Sequence, residues 1–318
     1  MSKKKQPILL SFCAVSNGHT TLVYGQISYF SDKDISFKDY SWHETFRNLL
    51  RMYRATALDH EEIELEFNQG CVKTITDGTG GFFSTVTFDS SWDESQMHLK
   101  EIKLKSGEKV KLMDNQYSLA INQIEKKFII ISDIDDTLIH SYIHNTFLKF
   151  RTLSFTRVEK RKAVITMMNL IKSFAVSGAS PFYLSNSERN LYPLIYRFLM
   201  YHQFPKGPIF LKPMRKIRHV LTNKKIAEKD QHKLTNLRLI LSLFPDKKFI
   251  FMGDNTQNDL KIYLSMAKEF PNNIRYIIIR QVFDKPEDAA IIQSAQSLLR
   301  AHNIDLFYAN HFPQPFEL

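Results

Sequence analysis

The chain has 318 residues, 43% of them apolar and 13% aromatic with 25 phenylalanines, which is enough to bury a sizeable core and excludes global disorder. Its net charge of +10 favours a polyanionic neighbour, whether nucleic acid, an anionic membrane surface or a phosphorylated substrate, without choosing among them. No apolar stretch approaches the ~18 uncharged residues of a membrane span, and two cysteines, Cys13 and Cys71, without CxxC or Cys/His spacing, suggest a reducing, cytoplasmic setting with no disulfide framework or zinc site.

The N-terminus, MSKKKQPILLSFCAVSNG, imitates a secretory leader through Lys3 to Lys5 and a short apolar run. Pro7 and the alternation that continues into TLVYGQISYF favour a first β-strand instead. Up to about Asn122, the segments TLVYGQIS, IELEF, GFFSTVTF and LKEIKLK alternate like strands, with turn signals between them such as TDGTGG at Thr76 to Gly81. Residues 1–122 are therefore expected to form a small β-sandwich-like domain. One helix interrupts it: SWHETFRNLLRMYR offers Ser41 as N-cap and places Trp42, Phe46, Leu49, Leu50 and Tyr53 at helical spacing. Arg47, Arg51 and Arg54 fall on the other face, which is either a solvated face or a contact for anionic lipid or substrate.

After Asn122 the texture changes. The apolar strands KFIIISD, PFYLSN, KFIFMGD and IRYIIIR alternate with the helical patterns KAVITMMNLIKSFA, LIYRFLMYHQF and LTNLRLILSLF. This pattern predicts a Rossmann-like α/β domain over residues 123–318, built on a parallel sheet covered on both faces. The segment from about Ala301 to Leu318 is expected to pack onto it as an extension.

In an open parallel sheet, ligands bind where the carboxyl ends of strands meet their loops. KFIIISDIDDTL, PFYLSNS and KFIFMGDNTQND each place polar residues at such an end. Asp133, Asp135 and Thr137 form the pattern DxDxT. Clustered acids need a cation to offset their repulsion, and hard carboxylates with few other ligand types point to Mg²⁺, with Asp254 as the carboxylate from a third strand. One carboxylate, Asp133, is then free to attack phosphorus, while Asp135 transfers the proton. The bland alternative is that DIDD is an acidic helix-capping turn. A phosphoryl group in transfer calls for a hydroxyl and a cation. Ser185, at the end of its strand, and Lys233, at the head of a helix, supply these types in order, and Asn186 beside Ser185 joins them as a substrate-binding candidate.

These parts, DxDxT, a strand-end Ser, a Lys and GDxxxxD, resemble the motifs of the haloacid dehalogenase superfamily. Within it, SDIDDT, FYLSNS…LYPLIYRFL…FPKGPIFL, LFPDKKFIFMGDNTQNDLKIY and, more loosely, SWHETFRNLLRMYR…TDGTGGFF resemble bacterial relatives of the fungal actin-patch-associated phosphatidate phosphatase, roughly from Val23 to Val282. The resemblance implies Asp133 as nucleophile and metal ligand, and Asp135 as general acid/base that also offers its backbone carbonyl to the metal. It implies Ser185 and Lys233 as phosphate binders, Asp254 as metal ligand, Asp259 in the metal's outer shell or paired with Lys233, and Thr137 holding the loop. It further implies Mg²⁺-dependent hydrolysis of phosphatidate or a related lipid phosphate. Two segments depart from the family's pattern beside the phosphate site: SNSERNLYP lacks its Pro-Trp, and DTLIHSY replaces its DTIK. Asp136, at the variable position of DxDxT, has no assigned role.

The stretch Lys212 to Lys233 is strongly basic (Lys212, Arg215, Lys216, Arg218, Lys224, Lys225, Lys229, Lys233) and suits peripheral contact with an anionic bilayer, at ~1 kcal/mol per exposed residue, or a solvated loop. A polynucleotide end or a phosphoprotein is the rival phosphomonoester; without a nucleic-acid-binding module, nucleic acid ranks lower. A non-catalytic lipid-binding or scaffold protein is the rival of another class. Nothing in the sequence sets an oligomeric state.

Overall fold

A computed structural model describes residues 5–31, 42–68, 70–87, 98–113, 119–139, 161–213, 227–282, 287–312, 316 and 318, with side chains for all but 42–46, 49 and 227–229. Ser41, the side chains of Trp42, Phe46 and Leu49, and the basic run from Arg215 to Lys225 with the Lys229 side chain lie outside it, as do His140 to Tyr142.

The first half contributes β1 (Lys5–Ser16), β2 (Thr20–Ser31), α1 (Trp42–Arg54), β3 (Thr56–Ala57), β4 (Glu62–Phe67), β5 (Gly70–Ile75), β6 (Gly81–Thr87), β7 (Leu99–Leu104), β8 (Lys111–Leu112) and β9 (Asn122–Gln123). One six-stranded sheet runs β3-β2-β1-β8, with β6 on β2 and β9 on β1, and a three-stranded antiparallel sheet runs β5-β4-β7. The two face one apolar core, in which Leu9, Phe12, Ala14, Val23 and Ile27 meet Ile63, Leu65, Phe67, Leu99, Ile102 and Leu104.

β1 and β2 are buried on both faces rather than one. Ile8, Leu10 and Phe30 join one core of the second half, and Cys13, Val15, Leu22 and Tyr24 join the other. The pairing register with β2 shifts between Leu9 and Ser11, leaving Leu10 as an extra residue. This bulge flips the phase of the strand, so that Leu9 and Phe12 point to the same side although three positions apart. Further ties join the halves: Tyr24 Oη donates to Ile209 O at 2.7 Å, and Asn17 Nδ2 donates to Leu243 O at 2.9 Å.

The second half contributes β10 (Phe128–Asp133), α2 (Ile165–Val176), β11 (Ala179–Glu188), a 3₁₀ turn (Arg189–Leu191), α3 (Tyr192–Tyr201), β12 (Ile209–Lys212), α4 (Ala227–Leu243), β13 (Lys248–Asp254), α5 (Asp259–Glu269), β14 (Ile274–Arg280), α6 (Ala289–Arg300) and β15 (Asp305–Ala309). Its sheet is wholly parallel in the order β12-β11-β10-β13-β14-β15. Counted within this half, that is 3-2-1-4-5-6, the doubly wound order whose direction reverses between β10 and β13 and leaves a crevice at their carboxyl ends.

The apolar runs of β10 and β13 follow from this geometry. Ile129 and Ile131 pack with α4 and α5 on one face and Ile130 packs with α2 and α3 on the other, all fully buried. Each contributes about 1.5–3 kcal/mol, which helps offset the cost of holding acids at the strand ends. β5, β12, β15, α5 and α6 were not expected from the sequence. β5 and β12 lie at sheet edges, and β12 has only four residues. The C-terminal extension supplies β15 and then Phe316, whose ring stands 4.9 Å from that of Phe307 and 5.7 Å from that of Tyr276. α4 begins at Ala227, so Lys233 lies in its second turn rather than at its head.

Candidate active site

Asp133 is the last residue of β10 and Asp254 the last of β13, so the two neighbouring strands deliver both carboxylates to the crevice. Asp259 opens α5. Oxygens of these three buried carboxylates lie within 4.8 Å of one another. Lys233 reaches them from α4: its Nζ lies 2.7 Å from Asp133 Oδ1 and 2.5 Å from Asp259 Oδ1, with 1% of its side chain exposed. Gly253 makes the approach of Asp259 feasible, because a Cβ there would stand 2.6 Å from Asp259 Oδ2. The backbone N–H of Asp254 donates to that oxygen at 3.3 Å.

A second group surrounds Asp135. Its Oδ2 accepts from Ser185 Oγ at 2.5 Å and from Ser187 Oγ at 3.1 Å, and its backbone carbonyl accepts from Gln257 Nε2 at 3.1 Å. Gln257 Oε1 accepts in turn from Asn186 Nδ2 at 3.3 Å. Asp135 stands outside the carboxylate trio and faces the hydroxyls of β11. Thr137 is fully buried, and its Oγ1 donates to Asp254 Oδ2 at 2.9 Å. Thr256 holds the other oxygen of Asp254 through its N–H at 2.6 Å and its hydroxyl at 2.5 Å.

Asp136 acquires a structural part. Its φ is +62°, in the left-handed region that Asp tolerates better than most residues. Its Oδ2 accepts from Thr256 Oγ1 at 3.3 Å, and its carbonyl accepts from Arg280 Nη2 at 2.5 Å. The reversal at Asp136 separates Asp135, facing β11, from Thr137, facing β13.

The trio carries more negative charge than one ammonium can offset. Burial, and then the neighbouring carboxylates against the opposing pull of Lys233, raise Asp133 well above the usual carboxylate range, and Asp259 is raised by burial against Lys233. Burial works against the charge of Lys233, but Asp133 and Asp259 prevail and hold it above the usual lysine range. His232, the preceding residue, is pushed down to about 3 by burial and by Arg189, Lys212 and Lys233, so it is neutral at physiological pH.

The donor set suits a small hard cation. All three candidate ligands are carboxylates, they are buried and close, and Asp133 Oδ2 has no hydrogen-bond partner among the described residues. Asp133 and Asp254 are placed to hold such an ion, with Asp259 beside them.

The structure thus brings together all eight residues that the sequence pointed to: Asp133, Asp135, Thr137, Ser185, Asn186, Lys233, Asp254 and Asp259. Thr137 donates to a carboxylate, and Lys233, whose ammonium has three N–H groups, lies against two. Ser187, Thr256, Gln257 and Arg280 were missed; Thr256 and Gln257 lie between the two acids of GDNTQND, and Ser187 is the second hydroxyl of SNS, so spacing within the motifs was the available signal.

Residues 128–281 match the family model of the catalytic domain of phosphatidate phosphatase APP1. The Saccharomyces cerevisiae phosphatidate phosphatase APP1 is 32% identical over 152 residues, 48% of this chain and 25% of that protein. An uncharacterized protein of Schizosaccharomyces pombe is 24% identical over 236 residues, 74% of this chain and 38% of that protein. The chain therefore spans well under half the length of either curated relative. Among solved structures, a class C acid phosphatase from Bacillus anthracis aligns with 46% of this chain and 62% of its own at 17% identity, with a TM-score of 0.26.

Proposed function

We propose that this chain is a phosphoric monoester hydrolase of the haloacid dehalogenase type, with a catalytic domain over 123–318 preceded by a β-sandwich-like domain over 1–122. The observation that carries the reading is the buried set Asp133, Asp254, Asp259 and Lys233 at the reversal point of a parallel sheet, beside Asp135 and Ser185. The match of 128–281 to a phosphatidate phosphatase catalytic domain supports it.

In this mechanism a carboxylate oxygen of Asp133 attacks phosphorus and the bond from phosphorus to the ester oxygen breaks. Asp135 gives its proton to the leaving oxygen, so an alcohol departs and an aspartyl phosphate remains on Asp133. Asp135 then takes a proton from the water that attacks phosphorus, which frees inorganic phosphate and restores Asp133. Ser185 and Lys233 hold the phosphoryl oxygens. Mg²⁺ bound by Asp133 and Asp254 supplies positive charge that offsets the repulsion between carboxylate and phosphate.

Phosphatidate, cleaved to diacylglycerol and phosphate, is the substrate the family match favours. The protein would meet it by peripheral, cytoplasmic contact with an anionic bilayer, to which exposed Arg47 and Arg54 on α1 and the net charge of +10 are suited. Among the described residues no helix is long and apolar enough to cross a membrane.

The test is phosphate release from phosphatidate, lysophosphatidate, a phosphopeptide and a 3′-phosphorylated oligonucleotide, each with Mg²⁺ and with chelator. Activity on the oligonucleotide alone would overturn the lipid assignment, and release that survives Asp133→Asn would overturn the mechanism.

A further inference from the structure

Three elements of the N-terminal half converge on three consecutive residues just past Ser185. Arg189 places its Cζ 5.3 Å from the ring centre of Tyr24 in β2, and its Nε donates to Leu211 O at 3.4 Å, the strand neighbour of Ser185. Its guanidinium also lies against the turn between β5 and β6. A Cβ on Gly81 would stand 2.7 Å from both Arg189 Nη1 and Asp77 Oδ2, so a larger residue there would push the cation or the carboxylate aside. Asp77 is fixed by three bonds to its Oδ1, from Thr79 N at 2.7 Å, Thr79 Oγ1 at 2.5 Å and Gly81 N at 3.0 Å, and its negative charge acts on the Arg189 guanidinium across the space that Gly81 leaves open. From α1, the Tyr53 hydroxyl lies beside the side chains of Glu188 and Asn190. The 3₁₀ turn 189–191 packs against β1, β2 and α1.

The sheet itself loses its hold where these contacts begin. Pairing between β11 and β12 shifts register between Ser185 and Glu188, and β12, only four residues long, ends at Lys212 opposite Glu188. A hydroxyl that binds a phosphoryl group must be held to within about 0.5 Å of its productive position. The helix and the TDGTGG turn, prominent in the sequence and unused by the chemistry, supply the missing constraint.

We propose that the N-terminal half is a positioning module, which through Asp77 and Arg189 clasps the Ser185–Asn190 segment and sets the Ser185 hydroxyl for phosphate. The assignment rests on the phosphatase reading of the site. Arg189 and Asp77 act through Ser185 and do not touch substrate.

The test compares Asp77→Asn, Arg189→Ala and Arg189→Lys, each alone and with Ser185→Ala, for hydrolysis of p-nitrophenyl phosphate and inhibition by inorganic phosphate. Asp77→Asn and Arg189→Ala are expected to raise KM and the phosphate inhibition constant at least about tenfold. The Mg²⁺ concentration giving half activity should stay unchanged, because Asp133 and Asp254 lie on other strands. Arg189→Lys should recover part of the loss. With Ser185→Ala in place, the clasp variants should add nothing further. Amide hydrogen exchange should quicken over 185–191 in Asp77→Asn and not over β10. If Arg189→Ala does not fold, Asp77→Asn, which keeps the shape of the turn, decides the matter. An unchanged inhibition constant in folded Asp77→Asn, or full additivity with Ser185→Ala, overturns the clasp alone. A wild-type protein that neither cleaves nor binds any phosphate overturns the phosphatase reading and the clasp with it.

Discussion

The Lys233 ammonium lies 2.7 Å from Oδ1 of Asp133, and neither side chain is more than 1% exposed. A buried pair of this kind is costly to break, because the surviving charge is left without compensation. Lys233→Met is therefore expected to destabilise the fold by about 3–5 kcal/mol and to abolish turnover. Denaturant unfolding at neutral pH checks the first effect. Lys233→Met combined with Asp259→Asn should be less destabilised than Lys233→Met alone, since one stranded carboxylate is removed. Equal losses in the two would show that packing, not charge, sets the cost.

The upward shift of Asp133 and Asp259 fixes the sign of a pH effect. A carboxyl whose folded pKa lies above its unfolded value binds more protons folded than unfolded, so stability falls as pH rises beyond the ordinary value of 3.8. Lys233, shifted upward from 10.5, adds no opposing slope in the acid and neutral range. In chelator, the unfolding free energy should decline from about pH 4 upward until the folded-state titration is complete. Millimolar Mg²⁺ should remove most of that decline by binding the ionised carboxylates. A pH profile in chelator that is flat or rises would contradict the charge balance of the trio.

Much of this was legible in the sequence, for physical reasons. β10 and β13 are covered on both faces, so each reads as an unbroken apolar run, and the first acidic residue after each run is a site carboxylate. β1 and β2 were expected as strands, but their burial on both faces was not. Their second cover comes from residues beyond 120, and the bulge at Leu10 breaks the alternation that would have marked a two-sided strand. Ser187, near the end of β11, and Thr256 and Gln257, in the loop after β13, escaped because hydroxyls and amides at strand ends and in loops carry no period. Asp136 escaped because its contribution is a backbone dihedral angle, and sequence spacing does not reveal that.

At Asp136 the φ of +62° separates backbone needs from side-chain needs. Asp136→Gly keeps the dihedral angle without strain and loses the bond from Thr256, whereas Asp136→Val forces a β-branched residue into the left-handed region at a cost of about 1–3 kcal/mol. The glycine variant is expected to keep most of its activity and the valine variant to lose most of it, with Asp136→Asn close to the wild type. Turnover of p-nitrophenyl phosphate measures all three. A valine variant as active as the glycine variant would show that the reversal does not position Asp135.

Gly253 bears on how closely Asp259 approaches β13. A methyl group there would stand 2.6 Å from Asp259 Oδ2 and 2.8 Å from Asp259 Cβ, inside the limits of real contacts. Asp259 opens α5 and is fully buried, so the clash is relieved by shifting the helix or by turning the carboxylate away from Lys233. Overpacking of this sort costs about 1–3 kcal/mol. Turning the carboxylate away would also break the 2.5 Å contact with Lys233 Nζ. Gly253→Ala is thus expected to lower both the melting temperature and turnover, while Gly253→Ala with Asp259→Gly, which removes both the carboxylate and the Cβ 2.8 Å away, relieves the clash but does not restore activity. The Lys233 ammonium in that double variant retains Asp133 alone, so its partner is bound more tightly and less free to attack phosphorus. Wild-type turnover in the double variant would show that Asp259 merely fills space beside Gly253.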